Sequence, residues 1–383
     1  MKGAYPAVSA ISSVLTRQLR KLEDLNLLTK EVRMGEKILM KGAEAVAEAA
    51  IRAGAMAFFG YPITPQNETP EYFSKRMPEL GRVYLQAESE VSSINMVYGA
   101  ASSGIRVITT SSSPGISLMQ EGFSYIGNSN VPCVVVNVMR GGPGLGDIAP
   151  AQSDYFQGVK GGGHGDYRNI VLAPHTVQEQ CDIMYDAFEL AGKYRILVLV
   201  LVDGLLGQMM EPVEFKEWVD VSKFRTPDWA IVGKGEHARN LITSFNLLPE
   251  GLERMNLELQ RKYREIEDTE ARVEEYMMDD AEYVITAFGT VARITKTTVK
   301  LLRKEGIKAG LIRPITLFPF PKKTINERVP QVKFFFDTEM NAGQMFEDVS
   351  LAVNGRKPVY FYGRTGGVVP TAEEIFDAFK KHI

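Results

Sequence analysis

Thiol chemistry is nearly absent: Cys133 and Cys181 are the only cysteines in 383 residues. They stand far apart with no Cys-x-x-Cys spacing, which excludes both a disulfide framework and an iron–sulfur cluster built from this chain alone. Neither sign of charge is in excess: 44 Lys and Arg face 47 Asp and Glu, for a net charge of -3. No polyanionic partner is implied, and without a basic run there is no case for nucleic acid. Apolar runs fall well short of the ~20 residues that span a bilayer, and the N-terminus lacks a signal-peptide core. A reducing, cytoplasmic setting away from membranes is therefore expected. Potential metal ligands are also few. His164 and Asp166 share the polar loop Gly161–Arg168, but two candidates without a third do not make a site, so no metal is assigned to this chain.

What is present is enough hydrophobic sequence, 45% of the chain, for two ordinary globular domains. Residues 1–34 read as a helical extension, with Ile11, Leu15, Leu19 and Leu22 at helical spacing among charges. Residues 35–211 alternate strand and helix as a parallel sheet covered on both faces does. Strands are expected near 56–59, 82–86, 106–111, 132–138, 170–173 and 196–202; several are continuous apolar runs suited to burial. Residues 212–280 read as a connecting arm. It contains Trp218, Trp229 and a charged helical run from Leu252 to Met278, with Leu252, Met255, Leu259, Tyr263 and Ile266 inward. Residues 281–383 form a second α/β unit, in which Arg313–Pro321 follows the strand Lys308–Ile312 with no element assigned to it.

The stretch from Tyr84 to Ala100 is the candidate focus of chemistry in residue terms, because Glu88-Ser89-Glu90 falls where an extended run becomes a helix rich in small residues. Ser89 suits the cap of that helix, and Glu90 suits either its first turn beside the helix dipole or a buried acid at an interface. After the first strand of the sheet, Gly60-Tyr61-Pro62-Ile63-Thr64-Pro65 presents Thr64 from a stiff loop at the carboxyl edge, where doubly wound sheets bind ligands. After a later strand, Arg140-Gly141-Gly142-Pro143-Gly144 places a guanidinium beside glycines, an arrangement suited to a carboxylate or phosphate. A nicotinamide-binding dehydrogenase is disfavoured because Gly60-Tyr61-Pro62 stands where the glycine fingerprint belongs.

Together, Tyr61-Pro62-Ile63-Thr64-Pro65, Gln86-Ala87-Glu88-Ser89-Glu90, Ser111-Ser112-Ser113-Pro114-Gly115 and Arg140-Gly141-Gly142-Pro143-Gly144 resemble the α subunit of the thiamine-diphosphate-dependent 2-oxoacid:ferredoxin oxidoreductases. The resemblance runs from about Gly35 to the C-terminus. Its wording is nearest the 2-oxoisovalerate (branched-chain) type, through Gly142–Gly146, Ala151–Tyr155 and Gly163–Tyr167. It implies a doubly wound thiamine-diphosphate-binding domain of the pyrimidine type, followed by a transketolase C-terminal-like α/β domain. It also implies that Glu90 meets the pyrimidine N1′, that Tyr61, Pro62, Ile63 and Thr64 border the cofactor, and that Thr64 and Arg140 hold the 2-oxoacid. The implied activity is oxidative decarboxylation to an acyl-CoA, with coenzyme A as co-substrate and ferredoxin as electron acceptor.

The Gly-Asp-Gly motif that grips the diphosphate through magnesium has no complete copy here: Gly146-Asp147-Ile148 and Gly165-Asp166-Tyr167 each miss the second glycine. The resemblance places Mg2+ and a [4Fe-4S] cluster on a separate β subunit, with γ and δ subunits beside it. In the second unit, the loops Glu339–Gln344 and Gly363–Gly367 are expected to border coenzyme A or another subunit. A pyruvate- or 2-oxoglutarate-specific member and a non-catalytic assembly subunit are the alternatives.

Overall fold

Alternating apolar strands and amphipathic helices sort the chain into two mainly parallel sheets. The structure is a computed structural model and describes residues 37–233 and 239–383; the expected helix at Ile11–Leu22 lies outside these. An antiparallel ribbon of β1 (Ile38–Lys41) and β8 (Met210–Val213) brings the two ends of the first unit together.

The first sheet contains β2 (Ala57–Gly60), β3 (Val83–Gln86), β4 (Val107–Ser111), β5 (Cys133–Met139), β6 (Ile170–Leu172) and β7 (Leu197–Asp203), all parallel. Every residue of β5 and of β7 is buried, because helices cover both faces. At ~1.5–3 kcal/mol for each large apolar side chain removed from water, this pair is the energetic centre of the unit. In the order β6-β7-β5-β4-β2-β3, β2 lies between β3 and β4. The chain leaves β2 for β3 on one side and then crosses to β4 on the other, so the switch point lies at Gly60 and Ser111.

The second sheet has the order β14-β13-β10-β11-β9. Its strands are β9 (Val273–Tyr276), β10 (Tyr283–Thr286), β11 (Ala309–Pro314), β13 (Phe335–Glu339) and β14 (Val359–Gly363), parallel except for β9. Two elements differ from the sequence reading. The charged helix spans Pro249–Thr269 and stops there; the charges beyond it belong to β9, which pairs with β11 through Val273 opposite Pro314. Leu259, Tyr263 and Ile266 face inward as expected, whereas Leu252 is exposed. The Arg313–Pro321 segment, to which the sequence assigns no element, contains one. Its Thr316–Phe318 forms β12, which leaves the second unit and pairs antiparallel with β6 at the edge of the first sheet. An edge position tolerates the flanking prolines.

Buried polar contacts lock the two units together. The Asp203 carboxylate accepts from Thr290 N at 2.9 Å and Thr290 Oγ1 at 2.6 Å, and Gln152 Nε2 donates to Phe288 O at 2.8 Å. Arg313 bridges Glu179 at 2.8 Å and Glu274 at 2.7 Å. Burial pushes the Glu179 carboxyl up, but the His175 hydrogen bond and Arg313 outweigh it and bring it down to about 2. Arg195 stacks over Trp229 at 4.5 Å, so the polar arm is pinned to the first unit by cation–π contact.

Candidate active site

The helix Glu90–Ser102 begins where its sequence says it should. Ser89 is extended and its Oγ accepts from Ser92 N at 3.3 Å, so the cap forms. Its neighbour Glu90 is not an exposed partner of the dipole. Its residue exposure is 5%, because the side chain turns inward against the start of the helix Ser113–Ser129. A Cβ built on Gly115 would lie 2.5 Å from Glu90 Oε1 and 2.1 Å from Ser111 Oγ, so Gly115 is the residue that makes room for the carboxyl. Deeper along the same helix pair, a Cβ on Gly122 would lie 2.6 Å from Ile94 Cγ2. Glycine therefore sets how closely the two helices approach.

On β4, β5 and the residues that follow them, the interior is polar but under-bonded. The side-chain oxygens of Ser111, Ser112 and Thr109, together with Asn137 Oδ1 and Arg140 Nε, are buried without a hydrogen-bond partner. Buried groups of this kind normally find one. A sheltered carboxyl with the unpartnered Ser111 hydroxyl beside it suits a heteroaromatic ring carrying both a ring nitrogen and an amino group. The residues present thus fit the aminopyrimidine end of thiamine diphosphate. For the other end, no group of three or more His, Cys, Asp or Glu that could hold a metal occurs among the described residues.

Thr64 and Arg140 meet directly. Arg140, 8% exposed, donates from Nη1 to Thr64 O at 2.8 Å and from Nη2 to Leu145 O at 3.0 Å. Sequence reading supplies the pairing but not its form: the guanidinium braces two loop carbonyls. Thr64 Oγ1 accepts from Asn67 Nδ2 at 3.4 Å. Tyr61 and Pro62 are exposed and Ile63 is half-buried. Gln66 ties this loop to β4 by accepting from Thr110 Oγ1 at 2.5 Å, so the Thr64 loop and the Glu90–Ser111 cluster share one edge of one sheet.

Three contributors have little signal in the sequence. Gly115 is one. Asp154 is another: its Oδ2 accepts from Ser113 Oγ at 2.5 Å and Asn137 Nδ2 at 2.8 Å, and burial raises its pKa. Gln66 is the third. In the sequence, Gly115 stands only as the last residue of Ser111-Ser112-Ser113-Pro114-Gly115 and Asp154 only within Ala151-Gln152-Ser153-Asp154-Tyr155, and Gln66 has no signal. The His164–Asp166 loop is held through its backbone instead: His164 O accepts from Ser124 Oγ and Asp166 O from Gln260 Nε2.

Comparison with known families decides the assignment. Residues 48–278 match the model for pyruvate flavodoxin/ferredoxin oxidoreductase, thiamine diphosphate-binding, and residues 281–375 match the pyruvate:ferredoxin oxidoreductase core domain II. The chain belongs to this oxidoreductase family.

Within the family, the chain is 51% identical over 329 residues to the ketoisovalerate oxidoreductase subunit VorB of Methanothermobacter marburgensis. That alignment covers 86% of this chain and 93% of the relative. Among solved structures it resembles a 2-oxoglutarate:ferredoxin oxidoreductase from Magnetococcus marinus with 2-oxoglutarate, coenzyme A and succinyl-CoA bound. There the TM-score is 0.80 at 28% identity, covering 90% of this chain. This chain spans 65% of the length of that one. A split-gene transketolase, described as an inactive beta4 tetramer, shares the fold, with TM-score 0.56 at 13% identity, over 89% of this chain and 97% of the other. The two units of this oxidoreductase chain are thus a thiamine-diphosphate-type α/β domain and a second α/β domain. No helix among the described residues is long and apolar enough to cross a membrane.

Proposed function

We propose that this chain is the α subunit of a multi-subunit 2-oxoacid:ferredoxin oxidoreductase and supplies the pyrimidine side of a thiamine diphosphate site. The reaction is oxidative decarboxylation of a 2-oxoacid, chiefly of the branched-chain 2-oxoisovalerate type, to an acyl-CoA. Electrons pass through iron–sulfur clusters to ferredoxin. The observation that supports this most is Glu90, an acid buried at the carboxyl edge of the sheet with a glycine opposite that leaves its carboxyl free.

When bound, the cofactor would supply a carbanion as the nucleophile toward the 2-oxo group and the electron sink for loss of carbon dioxide. The part of this chain is narrower. Glu90 would meet the pyrimidine N1′ with its carboxyl and would move a proton there, the acid–base chemistry that activates the cofactor when bound. Thr64 offers a hydroxyl to the 2-oxo group. Arg140 keeps the Thr64 loop and the Gly141–Ala149 loop in register, and its positive charge favours the substrate carboxylate. A companion β subunit contributes the diphosphate site with Mg2+ and a [4Fe-4S] cluster, and γ and δ subunits complete the complex. Edge strand β3 leaves Val83 and Leu85 about 40% exposed beside the Glu90 helix, and this apolar edge suits cover by the β subunit.

The test is reconstitution with the companion subunits, followed by coenzyme-A-dependent reduction of a viologen dye. Turnover is expected to be fastest with 2-oxoisovalerate and slower with pyruvate and 2-oxoglutarate. A complex that assembles but reduces no dye with any 2-oxoacid would overturn the proposal.

A further inference from the structure

The loop between Arg140 and Pro150 is built as a rigid bracket. Gly141 N donates to Ala149 O at 2.9 Å and Asp147 N to Gly141 O at 3.0 Å, while Ala149 N donates to Asp147 Oδ1 at 2.8 Å. Gly146 has φ +57°, and a Cβ there would lie 1.7 Å from Gly141 O, so no other residue closes the loop this way. The second unit backs it: a Cβ on Gly367 would lie 2.4 Å from the Ala149 Cβ. One guanidinium grips both Leu145 O and Thr64 O. The loop is therefore fixed relative to the residue that meets the 2-oxo group.

This bracket offers apolar surface rather than charge. The Leu145 side chain is 82% exposed and Ile148 63%, on a backbone tied at Gly141, Leu145, Asp147 and Ala149. Between Gly141 and Ala149 the only charged residue is the anion Asp147. A second carboxylate on a substrate would find no cation on this loop and one like charge, whereas an aliphatic side chain would find two aliphatic neighbours.

We infer that Leu145 is a specificity-determining residue: the Gly141–Ala149 loop selects 2-oxoacids with an aliphatic side chain and disfavours those with a second carboxylate. This rests on the 2-oxoacid reading above and names the feature of the chain that sets its substrate class. The occupant assigned to the exposed Leu145 side chain is that of the substrate, because the Leu145 and Thr64 backbone carbonyls share the one Arg140 guanidinium, which puts position 145 next to the loop that carries Thr64.

The experiment uses the assembled complex carrying Leu145→Ala or Leu145→Arg, with kcat/KM measured for 2-oxoisovalerate, pyruvate and 2-oxoglutarate. Leu145→Ala should lower the 2-oxoisovalerate-to-pyruvate ratio by about 10-fold or more, the scale on which apolar pockets discriminate. Leu145→Arg should shift the 2-oxoglutarate-to-2-oxoisovalerate ratio upward by a similar factor. A side chain that exposed does not hold the fold together, and size-exclusion chromatography reports whether the complex still forms. Ratios unchanged within about twofold would overturn the inference, as would equal loss on all three substrates. Loss of assembly would also overturn it, by assigning Leu145 to a partner subunit. A wild-type complex inert on every 2-oxoacid would instead sink the functional reading, so the two failures are distinguishable.

Discussion

Replacing Gly115 by alanine adds one methyl group at the point where the Glu90 carboxyl passes the helix Ser113–Ser129. That methyl would sit 2.5 Å from Glu90 Oε1 and 2.1 Å from Ser111 Oγ. The serine hydroxyl escapes by rotating about χ1. The carboxyl must retreat from 2.5 Å to the 3.4 Å of ordinary contact, a displacement of about 1 Å, and misplacement on that scale costs roughly 10²-fold in rate. Stability changes much less. Overpacking costs about 1–3 kcal/mol, and removing a helical glycine returns up to about 1 kcal/mol, so the folded complex persists. The assay pairs thermal unfolding and size-exclusion of the complex with steady-state dye reduction. Gly99→Ala serves as a stability control, since that glycine is exposed, lies in the helix Glu90–Ser102 and has nothing within 4 Å of a built Cβ; it should be neutral or stabilising by up to about 1 kcal/mol. Wild-type turnover by Gly115→Ala would refute the reasoning, because the carboxyl would then be free to move without consequence.

Two further predictions concern the packing that supports the site. Glu179, held near 2 by His175 and Arg313 against its own burial, has a folded-state pKa below its unfolded value. Its contribution is therefore present above pH ~4.5 and is lost as pH falls from there toward ~2; in full it is worth about 3 kcal/mol. Melting temperature against pH should show that acid limb in wild type and a shallower one in Glu179→Gln, and identical profiles would contradict the assignment. Lys262 donates to Asn130 Oδ1 at 2.5 Å and to Arg195 O at 3.2 Å, and burial, with Arg195 beside it, lowers it to about 8. The unfolded chain holds that proton more tightly, so this group's penalty is full below pH ~8 and eases as pH rises toward ~10.5. Lys262→Met should flatten the rise in stability over that window, as measured by denaturant unfolding at several pH values.

The parts of the fold legible in the sequence are those set by local rules. Ser89 is a cap because its hydroxyl has a backbone N–H to satisfy, and β5 and β7 read as buried because their apolar runs have no polar alternation. What escaped the sequence is set by partners distant in the chain. The strand Thr316–Phe318 is three residues long between prolines, and only β6 makes it a strand. The charged helix ends at Thr269 because Val273–Tyr276 finds an open edge on β11, and helical charge periodicity cannot register that competition. At the site, Glu90, Thr64 and Arg140 stand out by residue type, but their neighbours do not. Gly115 has no side chain to notice, and its importance appears only when two helices are packed. The guanidinium of Arg140 reads from sequence as a ligand clamp, and the fold adds what sequence cannot register, that it also braces the carbonyls of Thr64 and Leu145.

The most direct measurement is Glu90→Gln in the reconstituted complex. Glutamine keeps the size of the side chain and fills the same space beside Gly115, but it has no carboxyl proton to exchange. The complex should assemble with unchanged stoichiometry, while coenzyme-A-dependent dye reduction with 2-oxoisovalerate falls by at least about 10²-fold. Turnover equal to wild type in an intact complex would contradict the central claim that this acid serves the cofactor.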